Sequence, residues 1–442
     1  MPEAYEKSGR KAWRRLTGAA RSFAAPVMLF ALLAGLHALG FVAAIDYALM
    51  DDRFRLVRRA PSDTLVLVEI DPRSLREEAR WPWPRDRYAA VAENLQDAAA
   101  ALIAFDVDFS SLSDEEGDDA FAKTLSRRPG EIILPVFWQW TSDAAGEREL
   151  IKTPPNPKFL NDSVIASVTL TTEKNGVLRR GWRTIKEDDN YRTSIAGVLA
   201  GIPADQRDTF YIDYGIDASK ITRLSFRDAL AGNFPPEAVR AKNVLIGATA
   251  LELGDEFAAP TLGLMPGVML HALSYESLVQ DRALKRPHPA VPLGLAGLLL
   301  IWLTRNAAIK RTSTLTITHV LLLALFIGAP VGLQALFPLS VDTGALLAAQ
   351  ALSILYVAGA QLRHRALQII GQRAATMKYQ ELTGIVVRDN ADGVIVTDEA
   401  GAIELCSERA KELLGIESKA VPGEGVADIV SGFPVLSAGN TS

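Results

Sequence analysis

Four long apolar stretches, residues 23–45, 288–304, 314–337 and 339–359, constrain this chain more than any other feature. A bilayer core takes about 20 apolar helical residues, with a usual range of about 17–25. Three stretches meet that length, and 288–304 sits at its short end. Lipid offers no water to satisfy backbone N–H and C=O groups, so each stretch is predicted to be helical. The expectation is a polytopic membrane protein, with residues 46–287 held as a block between the first and second transmembrane helices.

Basic residues set the orientation. Six Lys or Arg lie between Lys7 and Arg21 in the basic N-terminus, 1–22. Arg305, Lys310 and Arg311 stand between the second and third stretches, and Arg363, Arg365, Arg373 and Lys378 follow the fourth. The connection 337–342 carries none. Short loops rich in Lys and Arg stay in the cytoplasm. Both termini are therefore expected inside and 46–287 outside. The first stretch exceeds the roughly 7–15 apolar residues of a signal-peptide core, which favours an uncleaved anchor. It runs on through Ile45 and Asp46 to Phe54, as a helix emerging from the membrane would. His37 within it is read either as a proton-handling group or as a hydrogen-bond partner of a neighbouring helix.

A net charge of −5 and the absence of a basic stripe exclude a nucleic-acid partner from the expectation. Cys406 is the only cysteine, so the external block is held by an ordinary core rather than by disulfides. The five histidines are scattered, and no Cys/His spacing resembles a zinc site. No metal and no cofactor are expected.

The external block alternates strands and helices. Residues 64–70, 101–105, 131–136 and 243–247 are short runs rich in Val, Ile and Leu, which read as buried strands. Residues 85–100, 118–127 and 267–280 carry helical spacing. This alternation predicts α/β units around a largely parallel sheet, with antiparallel or loop structure inserted over 137–225. Ligands of open α/β sheets sit beyond the carboxyl ends of the strands. Asp71, Asp106 and Asp108 follow strands. They are read either as a pocket for a cationic or hydroxyl-rich ligand or a divalent cation, or as caps of the next turn. Trp81-Pro82-Trp83-Pro84-Arg85 fixes an extended backbone leading into a helix. Arg85 there meets an anion at the helix N-terminus or pairs with a strand-end aspartate. The tryptophans are read chiefly as packing.

Ile70 to Leu75, WPWPR at 81–85 and FDVDF at 105–109 resemble the opening of the class-two CHASE domain, a cyclase- and histidine-kinase-associated sensory extracellular domain. The resemblance continues through GVLRR at 176–180, FRDALAG at 226–232, LIGAT at 245–249, DEFAAP at 255–260 and MPGVMLHA at 265–272, in family order across 46–285. Ala79 departs from a Gly common in the family. The resemblance implies a bacterial inner-membrane sensor with three membrane helices after the domain and an unidentified small extracellular ligand; pairing into a homodimer in the membrane is the expected way for it to signal. Asp71, Arg85, Asp106, Asp108, Asp255 and His271 are the expected pocket residues. His271 is read as a pH-sensitive group or as a buried hydrogen-bonded histidine.

Gly254-Asp255-Glu256-Phe257 spells most of the GGDEF signature of diguanylate cyclases. Leu253 replaces its first glycine, and the segment is expected outside the membrane, where GTP is absent. The cyclase reading is rejected.

After the last apolar stretch, 361–381 reads as a signalling linker helix. Residues 389–405 read as two short strands around a turn, and 408–414 as a helix. This resembles the start of a PAS domain, so 382–442 is expected to be an incomplete one. Cys406 stands where that family often has Asn. No His follows His364, so histidine ligation of haem is unavailable. No P-loop, G-x-S-x-G elbow or phosphodiesterase sequence is present. The expected fold class is thus an α/β extracytoplasmic sensor domain flanked by four transmembrane helices, with a partial PAS-like segment. Relatives of this layout continue into cyclase, phosphodiesterase or kinase domains. The expected function is therefore the sensory front end of a signalling protein acting through a missing output domain or a cytoplasmic partner. A periplasmic enzyme using the aspartate cluster and a membrane scaffold that senses nothing are the rival readings.

Overall fold

The computed structural model describes residues 24–78, 81–142, 148–187, 190–305, 312–388, 393–400 and 402–414. The basic N-terminus, Ala79, the basic turn at Lys310 and Arg311 and the tail beyond Leu414 lie outside them. The chain forms two compact units, Met1–Ser353 and Ile354–Ser442.

The first apolar stretch is not one straight helix. Gly40 adopts a left-handed conformation, φ 84°, which costs glycine nothing. It separates α1 (Ala24–Ala38) from α2 (Phe41–Leu56), and the two helices diverge by 69°. The far end of α2 enters the soluble core through Met50 and Phe54.

Strand and helix then alternate: β1 (Leu65–Ile70), α3 (Pro72–Glu77), α4 (Arg85–Asp97), β2 (Ile103–Asp106), α5 (Glu115–Arg127) and β3 (Ile132–Ser142). Next come β4 (Arg148–Thr153) and β5 (Val164–Ser167), followed by the short strands β6 (Arg180–Trp182), β7 (Thr184–Glu187) and β8 (Asn190–Thr193). Helix α6 (Ile195–Leu199), β9 (Thr209–Tyr211), β10 (Thr222–Ser225), α7 (Phe226–Leu230) and β11 (Asn243–Ala248) follow. The hairpin β12 (Glu256–Ala259) and β13 (Gly263–Pro266) leads into α8 (Gly267–Val279).

The main sheet runs β10-β1-β11-β2-β3-β4, with β5 also paired to β3. Every pairing in it is parallel except that of β3 with β4. The inserted segment supplies the antiparallel β4 and the β6–β9 and β7–β8 pairs, but β5 within it joins the parallel sheet.

Side-chain alternation along the strands fills two apolar layers. Leu65 and Leu67 point to a cluster with α2, α6 and α8. Val66, Val68 and Ile70 point to a cluster with α4, α5 and α7. The domain is therefore a doubly wound three-layer α/β/α unit. Trp83 belongs to the second layer, where it stacks on Phe226 with ring centroids 4.6 Å apart.

Helices α9 (Ala290–Arg305), α10 (Thr312–Leu336) and α11 (Gly344–Arg388) follow. Among the described residues, α10 and the apolar part of α11 are long enough to cross a membrane, and α1 with α2 forms a bent candidate. Among the described residues, two of the four expected spans are thus straight helices of spanning length and one is a bent pair. At 1.5 Å per residue, the 16 residues of α9 cover about 24 Å, short of a core of about 30 Å. The expected fourth span, 339–359, becomes helical only at Gly344, because residues 339–343 are held as a loop by the contacts described below. The same helix continues through the expected linker without a break. Leu33, Val42, Ala296, Leu300, Ala345 and Ala349 bring α1, α2, α9 and the start of α11 together. Small residues there allow close helix approach.

In the second unit, β14 (Ile395–Thr397) and β15 (Ile403–Cys406) form an antiparallel pair, and α12 (Glu408–Leu414) follows. Asp398 accepts from the backbone N–H groups of Ala400 and Ala402 in the turn. Ser407 Oγ accepts from Ala410 N at 3.1 Å and starts α12.

Candidate functional site

The strand order opens a crevice. β2 and β11 are parallel neighbours, with Asp106 opposite Gly247. Beyond β2 the chain leads to α5 in one layer, and beyond β11 to α8 in the other. Where successive connections depart to opposite faces, the carboxyl ends of the strands bound a cleft. A cavity of 520 Å³ lies there, at the ends of β1, β11, β2 and β5. Ile70, Asp106, Val168 and Ala248 mark those ends, and Trp81, Phe137, Trp138 and Phe257 form apolar walls.

Two glycines set its back wall. A Cβ on Gly247 would stand 2.6 Å from Val268 Cγ2, so glycine lets α8 pack closely on β11. A Cβ on Gly267 would stand 2.4 Å from Asp255 Oδ2, so the Asp255 carboxylate rests on the first residue of α8. That is the electropositive end of the helix.

Asp106 and His271 face each other across the floor, Oδ2 to Nε2 4.0 Å, with side chains 7% and 5% exposed. That separation is too long for a hydrogen bond, and among the described residues the Asp106 carboxyl accepts none. Burial, and secondarily the charge of Asp255, pushes the Asp106 carboxyl up to about 8. Burial pulls His271 down to about 4, against a hydrogen bond to the Val168 backbone. Burial outweighs the one hydrogen bond that His271 makes, and Asp106 has none among the described residues, so burial favours the neutral form of both groups near pH 7.

Four of the six expected pocket residues, Asp106, Asp108, Asp255 and His271, line this cleft. Asp108 is exposed and accepts from Ser110 N at 2.8 Å. Asp71 and Arg85 lie elsewhere. Asp71 caps α3 by accepting from Ser74 N at 2.7 Å. Arg85 is buried at the start of α4, donates to the Ser111 carbonyl at 3.1 Å and lies 4.6 Å over the Phe109 ring. It ties down the loop after β2, and among the described residues it pairs with no aspartate. Phe137, Trp138 and Thr169 lie where the sequence reads as irregular. Their signal was the aromatic run Phe137-Trp138-Gln139-Trp140, a composition suited to continuing β3. Among the described residues no three His, Cys, Asp or Glu side chains are grouped to hold a metal ion, so the divalent-cation form of the pocket has no support in the geometry.

Helix α8 links the cleft to a second polar cluster. Just beyond its end, Arg282 donates to Asp213 at 3.1 Å and to the Gln334 carbonyl. Lys285 exchanges backbone hydrogen bonds with Pro338 and Ser340, both 2.9 Å. Arg286 grips Asp342 at 2.6 Å. Arg53 of α2 donates to Gln334 and Ser340, both at 3.0 Å, and Asp46 accepts from Gly344 N at 2.6 Å. This clamp holds the loop that starts α11. Beside it lies a 380 Å³ cavity lined by His37, Asp46, Arg286 and His288 among others. His37 Nδ1 has no hydrogen-bond partner among the described residues.

Compared with known protein families, residues 27–309 match the CHASE2 domain. Neither the comparison with curated proteins nor that with solved structures gives a match.

Proposed function

The chain belongs to the CHASE2 domain family of extracellular sensor domains, and from that premise we propose that it is a membrane sensor whose cleft takes a small ligand and whose α8 passes occupancy to α11. One observation carries this reading. α8 presents His271 to the cleft near one end and, a few residues past its other end, enters the clamp on residues 338–344. A packed helix moves as a rigid body, so a ligand that displaces its first turns shifts the clamp as well. Such coupling requires the ligand to bind two arrangements with different affinity.

The family match together with the apolar helices makes this a membrane protein. In the proposed topology it is a multi-pass protein of a bacterial inner membrane, with both termini cytoplasmic. The bent α1–α2 pair, α10 and α11 form crossings, and the shorter α9 forms a fourth where the bilayer thins to meet it. The output runs through α11 to the PAS-like strand–turn–strand and helix. From there it reaches a cyclase, phosphodiesterase or kinase module, in cis or in a partner, with two copies paired in the membrane.

The test is affinity selection. Purified full chain in nanodiscs is incubated with a small-molecule extract of culture medium, washed, denatured and assayed by mass spectrometry. A sensor retains a compound and returns it unchanged, and Thr169→Trp, which fills the cleft, abolishes retention. A compound returned chemically altered would instead support the enzyme reading. Retention indifferent to Thr169→Trp sinks the cleft.

A further inference from the structure

Resting on the sensor reading above, we propose that the cleft takes a small organic ammonium ion, its charged head at Asp106 and Asp255 and its apolar body against Trp81, Phe137, Trp138 and Phe257. The sign of the lining charge comes first. Asp106, Asp108 and Asp255 line the cleft with one histidine and no Lys or Arg. An anionic head brought in here would lose its hydration and face the carboxylates of Asp108 and Asp255 with no Lys or Arg in the lining to offset them.

Asp106 supplies the second, independent observation. Its side chain is more than nine-tenths buried, faces the cavity and has no donor among the described residues. A buried carboxyl left in that state is destabilising, and a charged N–H donor is the partner that relieves it most. The aromatic walls cover an apolar body. The volume of 520 Å³ lies in the range of about 300–1,000 Å³ used by small organic ligands. It far exceeds the need of an inorganic ion.

A protonic consequence follows. The groups facing Asp106 are His271 from α8, Asp255 from the loop before β12 and Asp108 from its own loop. Burial, with the charge of Asp255 beside it, pushes the Asp106 carboxyl up to about 8 and so favours its protonated form at pH 7. An ammonium head stabilises the carboxylate, so binding releases that proton: R–NH₃⁺ plus the carboxylic acid gives the ion pair plus H⁺.

The experiment is titration calorimetry of the full chain in nanodiscs at pH 7, in two buffers of different ionisation enthalpy. The probes are phenethylammonium, hexylammonium and choline, with neutral 2-phenylethanol and anionic phenylacetate as comparators. At least one ammonium ion is expected to bind with proton release. Asp106→Asn should weaken it by more than about tenfold, with Asp255→Asn at the exposed rim weakening it less. Equal or tighter binding of the alcohol or the anion, or ammonium binding indifferent to Asp106→Asn, overturns the ligand class. So does the failure of every ammonium probe at millimolar concentration. These results leave the sensor reading standing as long as an extract compound is still retained through a cleft that Thr169→Trp closes. Loss of that retention as well removes both.

Discussion

Asp106 and His271 give the cleft a pH signature in stability as well as in binding. The Asp106 carboxyl, pushed up to about 8 by burial, binds its proton more tightly folded than unfolded, where the usual value is about 3.9. Its contribution is therefore fully present below about pH 4 and lost as pH rises through 8. His271, pulled down to about 4 by burial, behaves oppositely: its contribution is present above about pH 6.5 and lost as pH falls through 4. Asp106→Asn should thus raise the melting temperature by several degrees at pH 8.5 and leave it nearly unchanged at pH 4. Parallel melting curves for variant and parent across that range would refute the buried, protonated carboxyl. The sequence made both residues candidates, since one ends a strand and the other lies in a helix. It left open whether Asp106 caps a turn, as Asp71 does, because a cap and a cleft carboxyl look alike until the donor around them is known. Arg85 shows the converse. Its place at a helix N-terminus was legible, but the loop at Phe109 that folds over its guanidinium was not.

The helices adjoining the membrane carry charge that their hydropathy hides. Arg286 and Asp342 are only 14% and 6% exposed, in the clamp between the end of α8 and the start of α11. Removing one partner of a buried ion pair typically costs about 3–5 kcal/mol, because the other charge stays behind uncompensated. Arg286→Ala should lower the unfolding temperature of the solubilised full chain accordingly, and Arg286→Asp with Asp342→Arg should recover part of it. A loss below about 1 kcal/mol would place the pair among ordinary surface salt bridges and remove the clamp from the relay. Helix edges were the part the sequence read least well. An apolar run of 23 residues at 23–45 gives no sign that Gly40 will bend it by 69°. Leu339 is as apolar as its neighbours, yet the five residues from it to Thr343 stay out of α11 because their partners are Arg53, Lys285 and Arg286.

Orientation is a property of the full chain, and labelling tests it directly. With Cys406 as the only native cysteine, Lys220→Cys, whose parent side chain is 67% exposed, adds one site on the domain proposed to lie outside. A membrane-impermeant maleimide should modify Lys220→Cys in spheroplasts and reach Cys406 only after lysis. The reverse pattern would invert the topology and move the cleft to the cytoplasm, where the ligand would have to be an internal metabolite.

Residue order alone determined the apolar stretches, the alternation of buried strands with helices, the parallel α/β class and the family. Each of these is written in short-range pattern: hydropathy over about 20 residues, period 2 against period 3.6, and motifs a few residues long. Tertiary structure alone decided that four of six expected residues share one cleft, that Asp106 has no donor among the described residues, and that α8 ends in a clamp on α11. Those facts depend on residues far apart in the chain, 56 positions between Arg286 and Asp342 and 165 between Asp106 and His271. Asp106 meets Asp255 and His271 only because β11 slots between β1 and β2, and that strand order is set by how the two apolar layers pack.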